Sequence, residues 1–343
     1  MQSKRRTFGA LACMLVVVCL LSCTTANKGA PPSEEIAGAA AKDLSRYAFD
    51  PSTELVDRLQ KAPDFLLSFL RKMDNVSTYT TYTPSPEEVA ELKSTIAVLP
   101  AQYAGTLRQR LVGIYFINNF IGSGLTDYVF GPGRTLYFNL VINPEVLHHT
   151  ISDWMTYRES TVFSTTSDAD KATRISVDCG TQYSGLLYIL LHETGHMFDA
   201  VYHYTPYMEG GPKRRNLRVT ATPFMRGIWV SFDTPSRAAD FPGRKGLAYY
   251  GLGHAPRPHA SRAPDLYRGL GQSPFVSLYA TMSWMEDFAE LTTWYYFTER
   301  LHQPYEIRVQ QGEKTVCNLE PMKSPLVRDR TGLVAWLSAP PSN

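Results

Sequence analysis

The chain has 343 residues, 34 Lys+Arg against 32 Asp+Glu, and 44% hydrophobic side chains. A formal charge of +2 lacks the basic excess by which nucleic-acid binders are recognised, so no nucleic-acid partner is expected. About 300 residues beyond Leu44 suffice for one large domain or two small ones.

At the N-terminus, Lys4, Arg5 and Arg6 precede a mostly apolar run from Phe8 to Leu21. The run is shorter than the ~20 residues that span a membrane, so residues 1–22 read as a cleaved signal peptide. Its end, "LLSC" from Leu20 to Cys23, resembles a bacterial lipobox. That resemblance implies a lipid (palmitate) on Cys23 and an anchor in a membrane of the bacterial cell envelope, on the periplasmic side or at the cell surface. A plain secretory signal that leaves Cys23 as an incidental thiol is the alternative. Removing residues 1–22 takes away three basic residues and no acidic one, leaving 31 basic against 32 acidic side chains. Residues 23–43 are small, polar and Pro-bearing, as in a flexible tether.

The next region, residues 44–160, is expected to be mainly helical with some strand. "PSTELVDRLQKAPDFLLSFLRKM" spaces Leu55, Leu59, Leu66 and Leu70 as a helix would, with an interruption at Pro63. "SPEEVAELKSTIAVL" opens with Ser85 as a cap and Pro86 in the first turn. "QRLVGIYFINNF" and "TLYFNLVINP" are rich in β-branched and aromatic residues and read as strands, with "GPGRT" as a turn between them. The second of these is a candidate edge strand for an extended peptide.

Residues 161–343 hold the chemistry. Residues 205–273 are irregular, rich in Pro, Gly and Arg, and contain the densest positive cluster, Lys213 to Arg218, read as a solvated loop or an anion contact. His254 and His259 decorate this stretch or line a cleft. A helix follows over Trp284–Leu301, then a hairpin turning at Gly312. Helices and strands mix without βαβ alternation, so the fold class is α+β. After processing, three cysteines remain. With Cys23 lipidated, Cys179 and Cys317 form a candidate disulfide in an oxidising compartment.

"SGLLYILLHETGHMFDAVYH" reads as one helix starting near Ser184, and "HETGH" satisfies H-E-x-x-H at His192, Glu193 and His196. At 3.6 residues per turn both imidazoles reach one ion, and Glu193 sits beside it as a base rather than a ligand. The plainer alternative is a half-exposed helix with surface His and Glu. A catalytic zinc takes a third protein ligand. His203 lies seven residues past His196, a rise of about 10 Å, too far to share the ion. "SLYATMSWMEDFAEL" offers Glu286 as a ligand, with Glu290 one turn later accepting the free N–H of a ligating histidine. Ser283-x-x-Glu286 is also a capping-box pattern that needs no metal.

Together, "HETGH" and "YATMSWMEDFAE" resemble the glutamate-zincin metallopeptidases, and are similar in particular to the catalytic domain of anthrax lethal factor. The resemblance covers about Ser184 to Arg300. It implies a zincin-like core, one Zn2+ held by His192, His196 and Glu286, Glu193 as general base, Glu290 in the outer shell and Tyr279 stabilising the oxyanion. The expected function is a lipid-anchored zinc metallopeptidase acting on a peptide or protein substrate. A zinc-stabilised binding lipoprotein without turnover and a cell-wall peptide amidase are the alternatives.

Overall fold

The computed structural model describes residues 38–207, 220–252 and 256–338. The expected signal peptide, Cys23, most of the tether, the Lys213–Arg218 cluster and His254 lie outside them. Among the described residues no helix is long and apolar enough to cross a membrane.

The architecture is α+β. Helix α1 (Asp64–Asp74) starts after Pro63 and stops at Asn75, which adopts a left-handed φ of 56°. A short strand β1 (Thr80–Thr81) precedes α2 (Pro86–Val98), where Ser85 and Glu88 close the capping box. Helix α3 (Ala101–Arg110) runs directly into β2 (Leu111–Asn118). Then come β3 (Gly124–Phe130), the "GPGRT" turn with Gly133 at φ +63°, and β4 (Leu136–Ile142). The sheet order is β1-β2-β4-β3, with β2 parallel to β4 and β3 antiparallel to it.

This order corrects one expectation. "TLYFNLVINP" forms β4, which is enclosed between β2 and β3, and the edge beside the histidine helix belongs to β3. Strand period sorts the two sheet faces. Tyr115, Ile117 and Val141 pack with Leu66 and Leu70 of α1. Ile114, Phe116, Leu140 and Ile142 belong instead to the large core that contains the histidine helix.

Onward run α4 (Ile151–Ser160), the short α5 (Asp168–Lys171), β5 (Thr173–Asp178) and the histidine helix α6 (Gly185–Tyr202). The irregular stretch holds a small ribbon, β6 (Trp229–Ser231) with β7 (Thr234–Pro235), and helix α7 (Ala263–Gly271). Helix α8 (Trp284–Glu299) leads to the hairpin β8 (Glu306–Gln311) and β9 (Lys314–Leu319), then α9 (Pro325–Thr331). Gly312 takes φ +59° at the hairpin turn.

One cluster of buried side chains runs from Leu55 to Leu337, so residues 44–160 and 161–343 share a core. Packing also begins before Leu44, which moves the end of the expected tether. Ala41 is buried, Lys42 pairs with buried Asp127, and Phe130 N donates to the Lys42 carbonyl at 2.7 Å.

The candidate disulfide is corrected as well, because Cys179 and Cys317 are free thiols. Cys317 on β9 pairs with Val309 of β8, which pairs with Ile175 of β5, four residues short of Cys179. Two strand spacings of about 4.8 Å and four residues of rise put the pair far beyond the ~7 Å Cα separation that a bridge tolerates.

Candidate metal and catalytic site

Every residue of α6 from Gly185 to Ala200 is buried, HETGH included. A helix covered on all sides is a core element, so the half-exposed alternative does not hold. Two glycines bring other elements onto it. A Cβ on Gly195 would lie 3.2 Å from the Ala289 backbone of α8, so the bare Cα lets the two helices close. A Cβ on Gly124 would meet Ile189 at 2.6 Å and Glu193 Oε1 at 3.2 Å, so β3 approaches α6 over the glutamate.

Closing α8 on α6 assembles three ligand-type atoms. His192 Nε2 and His196 Nε2 are 3.1 Å apart, and Glu286 Oε2 lies 3.2 Å from the first and 3.3 Å from the second. An ion with tetrahedral bonds of about 2.0–2.2 Å separates its ligand atoms by about 3.3–3.6 Å, so the triangle comes within a few tenths of an ångström of what a small divalent cation needs. Among the described residues these three form the group that could hold a metal ion. Ser283 Oγ also accepts from Glu286 N at 3.2 Å. The N-cap half of the box therefore forms, while the Glu286 carboxylate turns to the histidines instead of back to the cap.

Glu290 lies behind His192, with Oε1 3.1 Å from Nδ1. Among the described residues His196 Nδ1 has no hydrogen-bond partner, so His192 is the imidazole oriented by a carboxylate. Glu290 also accepts from Trp294 Nε1 at 3.0 Å and from the hydroxyls of Tyr188 and Ser277.

Sequence reasoning missed Arg158 of α4. It is fully buried and donates to Glu290 Oε1 at 3.1 Å and Glu159 Oε1 at 3.0 Å, and it also meets the Tyr188 hydroxyl. Its guanidinium stacks over the Tyr279 ring at 5.2 Å. No local pattern announces this arginine, because its partner Glu290 is 132 positions away.

Thr126 of β3 was missed too. Its hydroxyl is 2.8 Å from Glu193 Oε2 and 2.9 Å from the Glu193 carbonyl. Glu193 faces a cavity of about 200 Å³ whose lining includes His196, Glu286, Tyr128 and Tyr279. The Tyr279 ring is 5.6 Å from that of His192, and burial holds its hydroxyl protonated, well above the usual phenol range. His259 lies apart from this group, with Nδ1 3.0 Å from Asp170 of α5.

The electrostatics match a cation site. Burial works against a charged His192, but Glu286 and Glu290 outweigh it and push the imidazolium up to about 10. Burial raises the Glu286 carboxyl, and the histidines outweigh it to hold the group at about 2. Glu290 is held well below the carboxylate range by Arg158 and His192 against its burial.

Comparison with known proteins adds no relatives. No family model matches the chain, and neither a curated protein nor a solved structure matches it. The residues themselves carry the functional reading.

Proposed function

We propose that this protein is a zinc-dependent metallopeptidase with a zincin-like core, anchored by lipid on Cys23 in the bacterial cell envelope. The observation that carries the reading is the His192–His196–Glu286 triangle, with the Glu193 carboxylate in the same cavity. Two imidazoles and one carboxylate are a donor set that suits zinc, and three protein ligands beside a cavity leave room for substrate, which favours turnover over a closed structural site.

Zinc bound there would supply Lewis acidity, which brings the pKa of a coordinated water to about 7. The protein residues have separate tasks. Glu193 takes the proton from the attacking water and returns it to the departing amine, which keeps the proton balance of hydrolysis closed. Thr126 holds one Glu193 oxygen and leaves the other for this transfer. Tyr279, protonated and facing the cavity, donates toward the oxygen that gains charge. Glu290, backed by Arg158, fixes the His192 tautomer by accepting from Nδ1. The outer edge of β3 before Phe130, whose N–H goes to the Lys42 carbonyl, would provide backbone groups along which an extended peptide can lie.

The test is Glu193→Gln on the zinc-loaded chain. It should retain stoichiometric zinc while peptide hydrolysis falls by about 10²–10⁴-fold. Parent-like turnover in that variant would remove Glu193 from the base role.

A further inference from the structure

A second cavity, of about 180 Å³, shares Gly124, Leu125, His192, Glu193 and Tyr279 with the metal-side cavity and extends away to Met73 and Asp74. Its walls are largely hydrocarbon, with Phe120, Ile121, Ile189 and Leu252 among them. A side chain flanking a bond held at the metal triangle would therefore enter an apolar channel.

Asp74 lines the same cavity at the last residue of α1. Its Oδ2 accepts from the Tyr79 hydroxyl at 2.8 Å, and that hydroxyl accepts from Ile121 N at 3.1 Å, which fixes the carboxylate to the cavity wall. Among the described residues no cation pairs with Asp74, whose hydrogen bond from Tyr79 falls on Oδ2 alone. Arg71, one turn earlier, donates instead to the Tyr79 carbonyl at 3.0 Å. Arg158 lines the cavity but is committed to Glu290 and Glu159. Asp74 is half-buried, and burial raises its carboxyl, as befits an acid lacking a positive neighbour. A helix C-terminus adds to the preference for a cation at this end.

We propose that this second cavity is a subsite for a lysine or arginine side chain next to the scissile bond, with Asp74 pairing its cationic head. The inference rests on the peptidase reading above. A long basic side chain satisfies both parts of the cavity, because its methylenes cover the apolar walls while its head reaches the carboxylate. A purely apolar side chain would bury Asp74 further without a partner, and an acidic one would face Asp74 and Glu193 together.

The experiment measures binding, not turnover, on the zinc-loaded chain and its Asp74→Asn variant. The probes are Nα-acetyl-lysine hydroxamate and the malonyl hydroxamate of lysine amide, which present the side chain on either side of the metal-bound group. Each is compared with its norleucine counterpart. At least one lysine probe should bind about tenfold or more tightly than its norleucine partner, and Asp74→Asn should equalise them. The Asn can still accept from Tyr79, and unchanged norleucine binding reports an intact fold. Equal binding of both side chains to the parent, or a lysine preference that survives Asp74→Asn, overturns the subsite while leaving the metal site standing. Failure of every hydroxamate to bind overturns the open metal site, and the subsite with it.

Discussion

Glu286 and Asp287 are neighbours on α8 and meet opposite electrostatic situations. Asp287 receives Arg330 in two bonds of 2.9 and 2.6 Å and Trp229 Nε1 at 2.8 Å, so one acid meets one base and the pair is closed. Around Glu286 the charges do not close. Glu193, Glu286, Glu290 and Glu159 are gathered near one buried cation, Arg158, and two imidazoles. Buried charge requires matching charge. The first cluster holds α9 to α8 with its charges matched one to one. The second has carboxylates in excess, and a divalent cation would offset most of that excess.

The largest effect should come from opening each cluster at its arginine. Removing one member of a buried pair costs about 3–5 kcal/mol, so Arg158→Met and Arg330→Met should both lower unfolding free energy by that order in denaturant titrations. Zinc affinity should separate the two variants. Arg158→Met should weaken zinc binding by freeing Glu290, whereas Arg330→Met should leave it near the parent value in whatever fraction stays folded. Equal zinc loss in both variants would dissolve the distinction between the clusters.

Glu290→Gln is a smaller change, keeping the volume while removing the charge behind His192. Loss of such an outer partner costs about 10–100-fold in metal affinity. Competition with a chromophoric chelator reads that number, and an unchanged value would confine Glu290 to packing.

The mildest perturbation is pH. In the metal-free protein His192 titrates at about 10, above its ordinary value of 6.5. A raised pKa contributes stability that is fully present below the unfolded value and is lost as pH rises through the folded one. Metal-free protein should therefore lose stability between about pH 6.5 and 10 through this group. Zinc must displace the same proton, so its apparent affinity should climb by about tenfold per pH unit from pH 7 to 9. Flat affinity across that window would show that no ligand holds a proton there.

What the sequence made legible were relations inside single helices. His192, Glu193 and His196 share a turn of α6, and Ser283, Glu286 and Glu290 share the start of α8, so period alone grouped them. Whatever depended on tertiary order stayed hidden. Arg158 reaches the site from α4, and Thr126 and Gly124 reach it from β3, and nothing in their own surroundings marks them. Composition marks "TLYFNLVINP" as a strand, yet which strand is outermost is decided by sheet order. The cysteine pair failed for the same reason, since β8 stands between β5 and β9. The reason for the missing side chain at Gly195 is likewise visible only against Ala289 of α8.

The cluster around Glu286 should hold a metal, and the cluster around Asp287 should not. Zinc content of residues 24–343, measured beside Glu286→Ala and Asp287→Ala, tests it most directly. The parent should carry one zinc per chain, Glu286→Ala should lose it or bind it far more weakly, and the folded fraction of Asp287→Ala should retain it. No zinc in the parent, or zinc that survives Glu286→Ala undiminished, would contradict it.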